Sequence, residues 1–396
     1  MTRKHEINWS RKSHNYTKEE LTDLVDFLNT TDSFTQDVQK EKFEKEFSEY
    51  TDNPNCFAVS SCTSALELTA ALMNIQKGDE IIAPAHTFCA TVMPYLRFGA
   101  IIKWADIDMD TRVISAETIR PLITPKTKAI VLVHLYGLMC DMDPIMELAR
   151  EHGIKVVEDN AQSLGATYKG KKCGTFGDYA CYSFHTQKNI TTLGEGGILS
   201  VKNDDEAKRV SGLMHNGLAL YPQREEYWIQ AMSDVQLDPK GVIPYNFCLS
   251  EPQCFLGRKV LKRIENLNQT RIERAEYLKT ELKDYPELVF QKIPSDEYKH
   301  VYHLLPAMFD GSKFGKNRDD LIRLLFNEYG IQAIVQYYPL YRYPLFKDLG
   351  LGEANCPNTD NYFDNMISFP FYVWASKEEF DYEINSIKEA IDRLRG

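Results

Sequence analysis

The sequence predicts an α/β fold in which a large domain built on a parallel-type sheet precedes a smaller α+β domain. Strand and helix patterns alternate from Cys56 to about Ser200, and such alternation builds a sheet whose strands are joined by helical crossovers. A long helical stretch begins at Glu251, and a strand–helix pattern resumes beyond it. With 396 residues the chain is long enough for one large and one small domain. The expected boundaries are an N-terminal arm and helix over 1–29, a large domain over 30–255, and a linker helix with a small domain over 256–396.

The first 17 residues are polar and read as a loose arm. LTDLVDFLNT carries helical spacing, and VQKEKFEKEFSEY sets Val38, Phe43 and Phe47 on a charged helix. CFAVSS is the first clear strand. Ser61-Cys62-Thr63-Ser64 follows it, and ALELTAALMNI then reads as a helix. Small hydroxyl residues between a strand and a helix N-terminus form an anion site, because free backbone N–H groups and the helix dipole favour a phosphate. A plain N-cap is the ordinary use of the same residues. DEIIAPAHTFCATVMPYLRFGA reads as strand, turn and helix. Phe88 falls near the first turn of that helix, where a ring either stacks on an aromatic ligand or joins the core. IIKWADID and KAIVLVHLYG read as strands, the second ending at His134, and DPIMELAREHG is a crossover helix.

Residues 202–250 are the least regular, and long irregular loops often serve binding. Within the 216–245 segment Arg224 and Trp228 are the candidate contacts, with solvated loop residues as the plain alternative. From Glu251 to about Leu282 the chain reads as a helix system linking the domains. VYHLLPAMF, RDDLIRLLFNEYG and IQAIVQYYPLY continue the strand–helix pattern, and EEFDYEINSIKEAIDRLRG is an amphipathic terminal helix.

The chemistry is concentrated in 154–200. IKVVED reads as a buried strand and YACYSF as a second. Asp159 closes the first strand, and Lys188 lies just past the end of the second. Ligands of open parallel sheets bind in the crevice at the strand ends, so an acid and an amine face one pocket beside a Gly-Glu-Gly-Gly turn at 194–197. Such a lysine can form a Schiff base with an aldehyde cofactor while the acid keeps a pyridinium nitrogen protonated, the logic of a pyridoxal phosphate (PLP) site. Asp and Lys are also common at ordinary strand ends, so the pair alone leaves both readings open.

The wording of the stretch is more specific. VVEDNAQSLGATYKGKKCGTFGDYACYSFHTQKNITTLGEGG resembles the PLP-lysine segment of the DegT/DnrJ/EryC1/StrS aminotransferases, the sugar aminotransferase family. The resemblance runs from about residue 30 to the C-terminus. It implies an aspartate-aminotransferase-like, fold type I architecture with a mixed, mostly parallel sheet. PLP is the implied cofactor, and a homodimer with shared active sites the implied assembly. Lys188 would then carry the cofactor and move protons, and Asp159 would face the pyridine nitrogen. Gln162, one helical turn on, would meet the phenolic oxygen, and Phe88 would stack on the ring. Thr63, Ser64 and Ser183 would hold the phosphate. PYNFCLSEPQ resembles the segment whose Asn reaches across the dimer to the other subunit's phosphate, and Asn246 matches it. Tyr337, Tyr341, Arg224 and His185 are candidate substrate-pocket residues, with a structural role as the alternative for His185. Glu195 is given no role.

Three positions depart from the family pattern. Cys62 stands for a usual Gly or Ala, Cys248 for the Arg of an Asn-Tyr-Arg segment, and Tyr341 for a His often found after Pro-Leu. The resemblance implies transfer of an amino group from L-glutamate to a keto sugar, with a nucleotide-linked keto-deoxysugar for surface polysaccharide or glycan biosynthesis as the expected acceptor. The departures at Cys248 and Tyr341 keep a small phosphorylated ketone such as a triose phosphate as an alternative. A non-catalytic PLP-binding regulatory protein is the alternative of another class. A deoxysugar dehydratase of this kind would carry His where this chain has Lys188.

Composition narrows the partners. Lys plus Arg is 46 and Asp plus Glu is 57, a net charge of −11, which argues against a general nucleic-acid or anionic-membrane binder. No apolar run approaches the roughly 20 residues that span a bilayer, and the N-terminus lacks an apolar signal core. The nine cysteines are scattered without a CxxC pair. They read as reduced thiols of a cytoplasmic protein, with no metal site expected.

Overall fold

Seven short runs form the central sheet: β1 Cys56–Val59, β2 Glu80–Pro84, β3 Ile101–Ala105, β4 Thr127–Val133, β5 Lys155–Asp159, β6 Tyr179–Ser183 and β7 Gly197–Val201. The computed structural model describes residues 5–218 and 235–396. The strand order is β1-β7-β6-β5-β4-β2-β3. The five strands from β6 to β3 pair in parallel, while β7 runs antiparallel to both β6 and β1. The sequence pattern did not mark β7 as a strand. It reverses because 184–196 holds no helix: a chain that leaves a strand without a crossover can return only antiparallel.

Both faces of this sheet are covered, so apolar residues on both faces fill the middle of its inner strands. The period of two still sorts them. Ile130, Leu132 and Val156 enter the core shared with Phe43 and Phe47, whereas Ala129, Val131 and Val157 face the opposite core. The same alternation separates the two acids that close β5. Asp159 follows Val157 to the face of α3 (Cys62–Leu72), and Glu158 turns the other way. Glu158 accepts from the Gly174, Phe176 and Gly177 N–H groups at 2.6–2.9 Å and pairs with His134 Nε2 at 3.0 Å. It is a buried structural acid.

The helices α1 (Lys18–Thr30) and α2 (Val38–Thr51) pack beside α5 (Glu251–Leu261), after α4 (Met142–His152) has carried the chain from β4 to β5. The long α6 (Ile264–Glu281) leads to a second, antiparallel sheet of β8 Leu288–Phe290, β9 Pro306–Phe309 and β10 Met366–Ser368. Helices α7 (Arg318–Tyr329) and α8 (Lys377–Arg395) join α6 around a core of its own that includes Leu278, Leu325, Ile367 and Ile387. VYHLLPAMF contributes a strand only from Pro306 onward. IQAIVQYYPLY contributes none beyond single bridges at Ile331 and Ile334, because after Ile334 it leaves the sheet edge for the central crevice.

The expected loose arm is instead a strap. Ile7 exchanges backbone hydrogen bonds with Gly330 and Gln332 at 2.9 Å, and Ser10 N donates to the Tyr372 hydroxyl at 2.7 Å. Further on, Ser13 N donates to Thr186 O at 3.3 Å, and its hydroxyl donates to the Lys188 carbonyl. Tyr16 donates to Thr191 O and accepts from Leu193 N. Polar composition suggested solvent, but these polar groups are spent on the loop that carries Lys188.

One glycine is demanded by close approach. A Cβ on Gly197 would lie 2.6 Å from Ser61 C and 2.7 Å from Cys62 N, so only glycine lets β7 pass the α3 N-terminus. Gly197→Val is expected to lower unfolding stability by about 1–3 kcal/mol through overpacking; a denaturant midpoint equal to the parent's would refute the close approach. Removal of residues 1–16 is expected to speed hydrogen exchange of the 186–194 amides by roughly tenfold or more. Unchanged exchange there would mean that the strap does not brace the loop.

Candidate active site

A cavity of about 390 Å³ opens at the C-terminal ends of the parallel strands, the position expected for a ligand of such a sheet. Asp159 and Lys188 both line it. Asp159 Oδ2 accepts from Thr91 Oγ1 at 2.9 Å, and Oδ1 accepts from Ala161 N at 3.1 Å with the Cys62 thiol 3.9 Å away. Burial raises its proton affinity above the ordinary carboxylate range, and the Ala161 N–H, the Thr91 hydroxyl and the Lys188 amine oppose the shift. Burial pushes the Lys188 amine below its ordinary value, while Asp159 pulls it back up. The acid and the amine therefore sense one another within a single crevice.

The loop that presents Lys188 is internally closed. Thr186 N donates to Gly194 O at 2.9 Å, Lys188 N to His185 O at 2.8 Å, and Phe184 N to Gly196 O at 2.8 Å. On one side of the cavity stands the N-terminus of α3, capped by Ser61, whose Oγ accepts from Ser64 N at 3.0 Å. Ser61 and Thr63 line the cavity, as does Ser183 at the end of β6. Ser64 does not: its hydroxyl lies 2.9 Å from both Ser60 Oγ and Ser61 Oγ and is absorbed in the cap. Ser61, three positions before Ser64, stands at the cavity in its place.

Phe88 precedes a single 3₁₀ turn, Cys89–Thr91, and its ring is 55% exposed at the cavity wall. A core phenylalanine would be covered, so this ring is available to a flat partner. Gln162 also lines the cavity, but 161–165 forms turns and not the expected helix. The Gln162 amide is fixed at both ends: its oxygen accepts from Tyr136 N at 2.8 Å, and its nitrogen donates to the Tyr337 hydroxyl at 3.2 Å. Tyr337 and Gln336 reach the cavity from the C-terminal part of the chain. At the mouth, His185 Nε2 stands 4.0 Å from Glu195 Oε1. Burial lowers the imidazole's proton affinity and Glu195 raises it.

Other expectations fall elsewhere. Tyr341 is buried away from the cavity, with its hydroxyl on Asp360, whose carboxylate also binds Arg342. Its position after Pro-Leu is no guide here, because a local acid captures it. Asn246 pairs in a bridge with His215 and does not line this chain's cavity. Arg224, Trp228 and the middle of the 216–245 segment lie outside the described residues. Sequence reasoning missed Thr91, Ser61 and Gln336. Only Ser61 had a local signal, as the small hydroxyl residue directly before the helix.

The arrangement suits a flat, cationic aromatic aldehyde that carries an anionic group. The amine can condense with the aldehyde and the acid can face a ring N–H. The exposed ring can cover one face, and the α3 N-terminus with its hydroxyls can take the anion. The cavity volume is within the ~300–1,000 Å³ of small-molecule sites. Among the described residues no His/Cys/Asp/Glu group is arranged to hold a metal ion, and no helix is long and apolar enough to cross a membrane.

Comparisons with known proteins agree. The DegT/DnrJ/EryC1/StrS aminotransferase family model matches residues 15–388. The spore coat polysaccharide biosynthesis protein SpsC of Bacillus subtilis is 31% identical over 379 residues, covering 94% of this chain and 95% of that protein. A GDP-perosamine synthase of Caulobacter vibrioides is 33% identical over 318 residues, covering 79% and 81%. Spr1654 of Streptococcus pneumoniae, assigned as a sugar aminotransferase, is 26% identical in its PLP form, with a TM-score of 0.86 over 98% of this chain and 100% of that one. Its PMP form is 27% identical, with a TM-score of 0.85 over the same shares. The chain thus belongs to the DegT/DnrJ/EryC1/StrS family and is a PLP-dependent aminotransferase of fold type I.

Proposed function

We propose that this enzyme takes an amino group from L-glutamate and gives it to a keto sugar carried on a nucleoside diphosphate, in the cytoplasmic synthesis of a surface polysaccharide or glycan. The observation that carries the aminotransfer is the cavity shared by Lys188 and Asp159. The acceptor class is supported by the names of the relatives, a GDP-perosamine synthase and a spore coat polysaccharide protein.

When bound, PLP supplies an electron-accepting ring that lets the donor's α-proton be removed. In this proposal Lys188 holds the cofactor covalently and, once displaced by the donor, moves the proton as base and then acid. Its neutral form is favoured by burial. Asp159 holds the ring nitrogen's proton, and Phe88 covers one ring face. Thr63, Ser61 and Ser183 take the phosphate, and Gln162, already held between Tyr136 N and Tyr337, meets the phenolic oxygen. His185 and Tyr337 border the acceptor. Asn246, absent from its own chain's cavity, serves the other subunit's phosphate in a homodimer with shared sites.

Lys188→Ala is expected to keep the parent's circular dichroism and to lose at least about 10³-fold in turnover; near-parent turnover would sink the assignment. Because Asp159 raises the Lys188 amine's proton affinity, Asp159→Asn should move the pH midpoint for cofactor capture by apoenzyme downward. An upward shift would contradict the pairing. Mixing inactive Lys188→Ala and Asn246→Ala proteins should restore activity, since one site of the hybrid dimer is then intact. No recovery, or a fully active monomer in sedimentation, would reject the shared site. The donor and acceptor are tested together: L-glutamate should bleach the yellow holoenzyme, and nucleotide-linked keto sugars should restore the colour. Restoration by triose phosphates alone would replace the sugar acceptor with the smaller phosphorylated ketone that Cys248 leaves open.

A further inference from the structure

The donors behind Asp159 carry an assignment of their own. Asp159 lies at the end of β5, and its main chain is pinned by Asn160 N donating to Cys181 O at 2.8 Å and His134 N donating to Asp159 O at 3.3 Å. The carboxylate has about four acceptor positions. Oδ1 takes the Ala161 N–H and faces the Cys62 thiol, while Oδ2 takes the Thr91 hydroxyl. One position remains, and Asp159 lines the cavity. Thr91 is itself 1% exposed and lies 3.2 Å from Thr87 Oγ1, also buried. An ionised carboxylate can only accept, so the Thr91 proton points at Asp159. The Thr87 proton must then point at Thr91. Two hydroxyls form a directed chain that ends on the acid.

We infer that Thr91 is a positioning residue for Asp159: its hydroxyl, fed by Thr87, fixes the carboxylate plane and holds the acid ionised, so that the open acceptor position faces the ring nitrogen of bound PLP. This rests on the PLP site described above. The turn geometry ties it to the ring-stacking position. Thr91 N donates to Phe88 O at 3.1 Å, and residues three apart in a 3₁₀ turn lie above one another. One turn therefore presents the Phe88 ring to the cavity and the Thr91 hydroxyl to the acid. The charged and titratable groups facing Asp159 are Lys188, Cys62, Cys181, His134, Tyr95 and Tyr337. Among the side chains facing Asp159, only the Thr91 hydroxyl donates to it within 3 Å, among the described residues.

The test compares Thr91→Val, which keeps the shape and removes the donor, with Thr91→Ser, which keeps the donor. PLP dissociation and the pH titration of the holoenzyme's visible spectrum are measured for each. Thr91→Val is expected to bind PLP roughly tenfold more weakly, the scale of one charge-assisted hydrogen bond. Its spectral midpoint should move upward, because an acid that keeps more of the shared proton leaves the ring less electron-withdrawing and the Lys188 nitrogen more basic. Thr91→Ser should restore both. Parent-like affinity and midpoint in Thr91→Val would overturn the inference while leaving the PLP site standing. Equal loss in Val and Ser would overturn it in favour of methyl packing. A parent protein that takes up no PLP would overturn it together with the site.

Discussion

A carboxylate and an amine kept in one buried crevice are the constraint on which the rest of this fold depends. Each is unfavourable there alone: burial drives Asp159 toward its protonated form and Lys188 toward its neutral form. Their attraction opposes both shifts, and the hydrogen bonds to Asp159 share the load. That balance requires the ends of β5 and β6 to be neighbours, and the parallel register from Val157↔Tyr179 to Asp159↔Cys181 makes them so. It also requires a loop after β6 that brings Lys188 back over the strand ends. The absence of a helix in 184–196, which forces β7 to return antiparallel, is what leaves that loop in the crevice.

The loop is held from three sides by distant parts of the chain. The strap gives it Ser13 and Tyr16. The linker helix α6 gives it Asn268, which accepts from Asn189 Nδ2 at 2.8 Å, and the opposite side of Asn189 meets His303 Nδ1 at 3.2 Å. Arg271, one turn beyond Asn268, is fully buried and donates to the carbonyls of Tyr302 and His303 and to Ser13 O. The N-terminal strap, the linker helix and the 300–304 segment thereby meet at one guanidinium behind Lys188. On the proposed role of Lys188, a side chain that both holds a cofactor and moves a proton needs a fixed backbone, and the surrounding loop limits the rotamer freedom of the lysine stem.

Much of this was readable because strand ends are punctuated. VVED closes on two acids and YACYSF is followed by His-Thr-Gln-Lys, so Asp159 and Lys188 stand out at the ends of their strands. VVED alone could not say which acid mattered. Two carboxyls end β5, and only the alternation of the pleat, with three backbone N–H groups waiting for Glu158, decides that Asp159 is the one that faces the cavity. Phase errors explain the misses. Ser64 lies three positions after Ser61, where the N-cap of the helix consumes its hydroxyl. Gln162 reached the cavity through a turn and not a helix, which spacing does not distinguish over three residues. Tyr341 was drawn off by Asp360, Gln336 arrives beside the expected Tyr337 from a distant part of the chain, and the polar arm hides its partners because they are far away in sequence and mostly backbone groups.

The cavity also divides the enzyme's tasks by depth. Its floor is made by Asp159 and Thr91, buried and hydrogen-bonded to each other, with the N-terminus of α3 beside them, so on the proposed function substitutions there act on the cofactor whatever the acceptor. The rim is made by Phe88, His185 and Glu195, which remain open to solvent, with His185 Nε2 4.0 Å from Glu195 Oε1. On the proposed reaction the acceptor's phosphates arrive at this rim. An anion beside His185 would raise its proton affinity against the lowering that burial imposes, in the same direction as Glu195. Cys248 stands where the family pattern has an Arg, so on the proposed reaction an anionic acceptor meets no fixed charge at that position. Acceptor choice can then drift through the rim while the floor, and with it the chemistry of Lys188, stays the same.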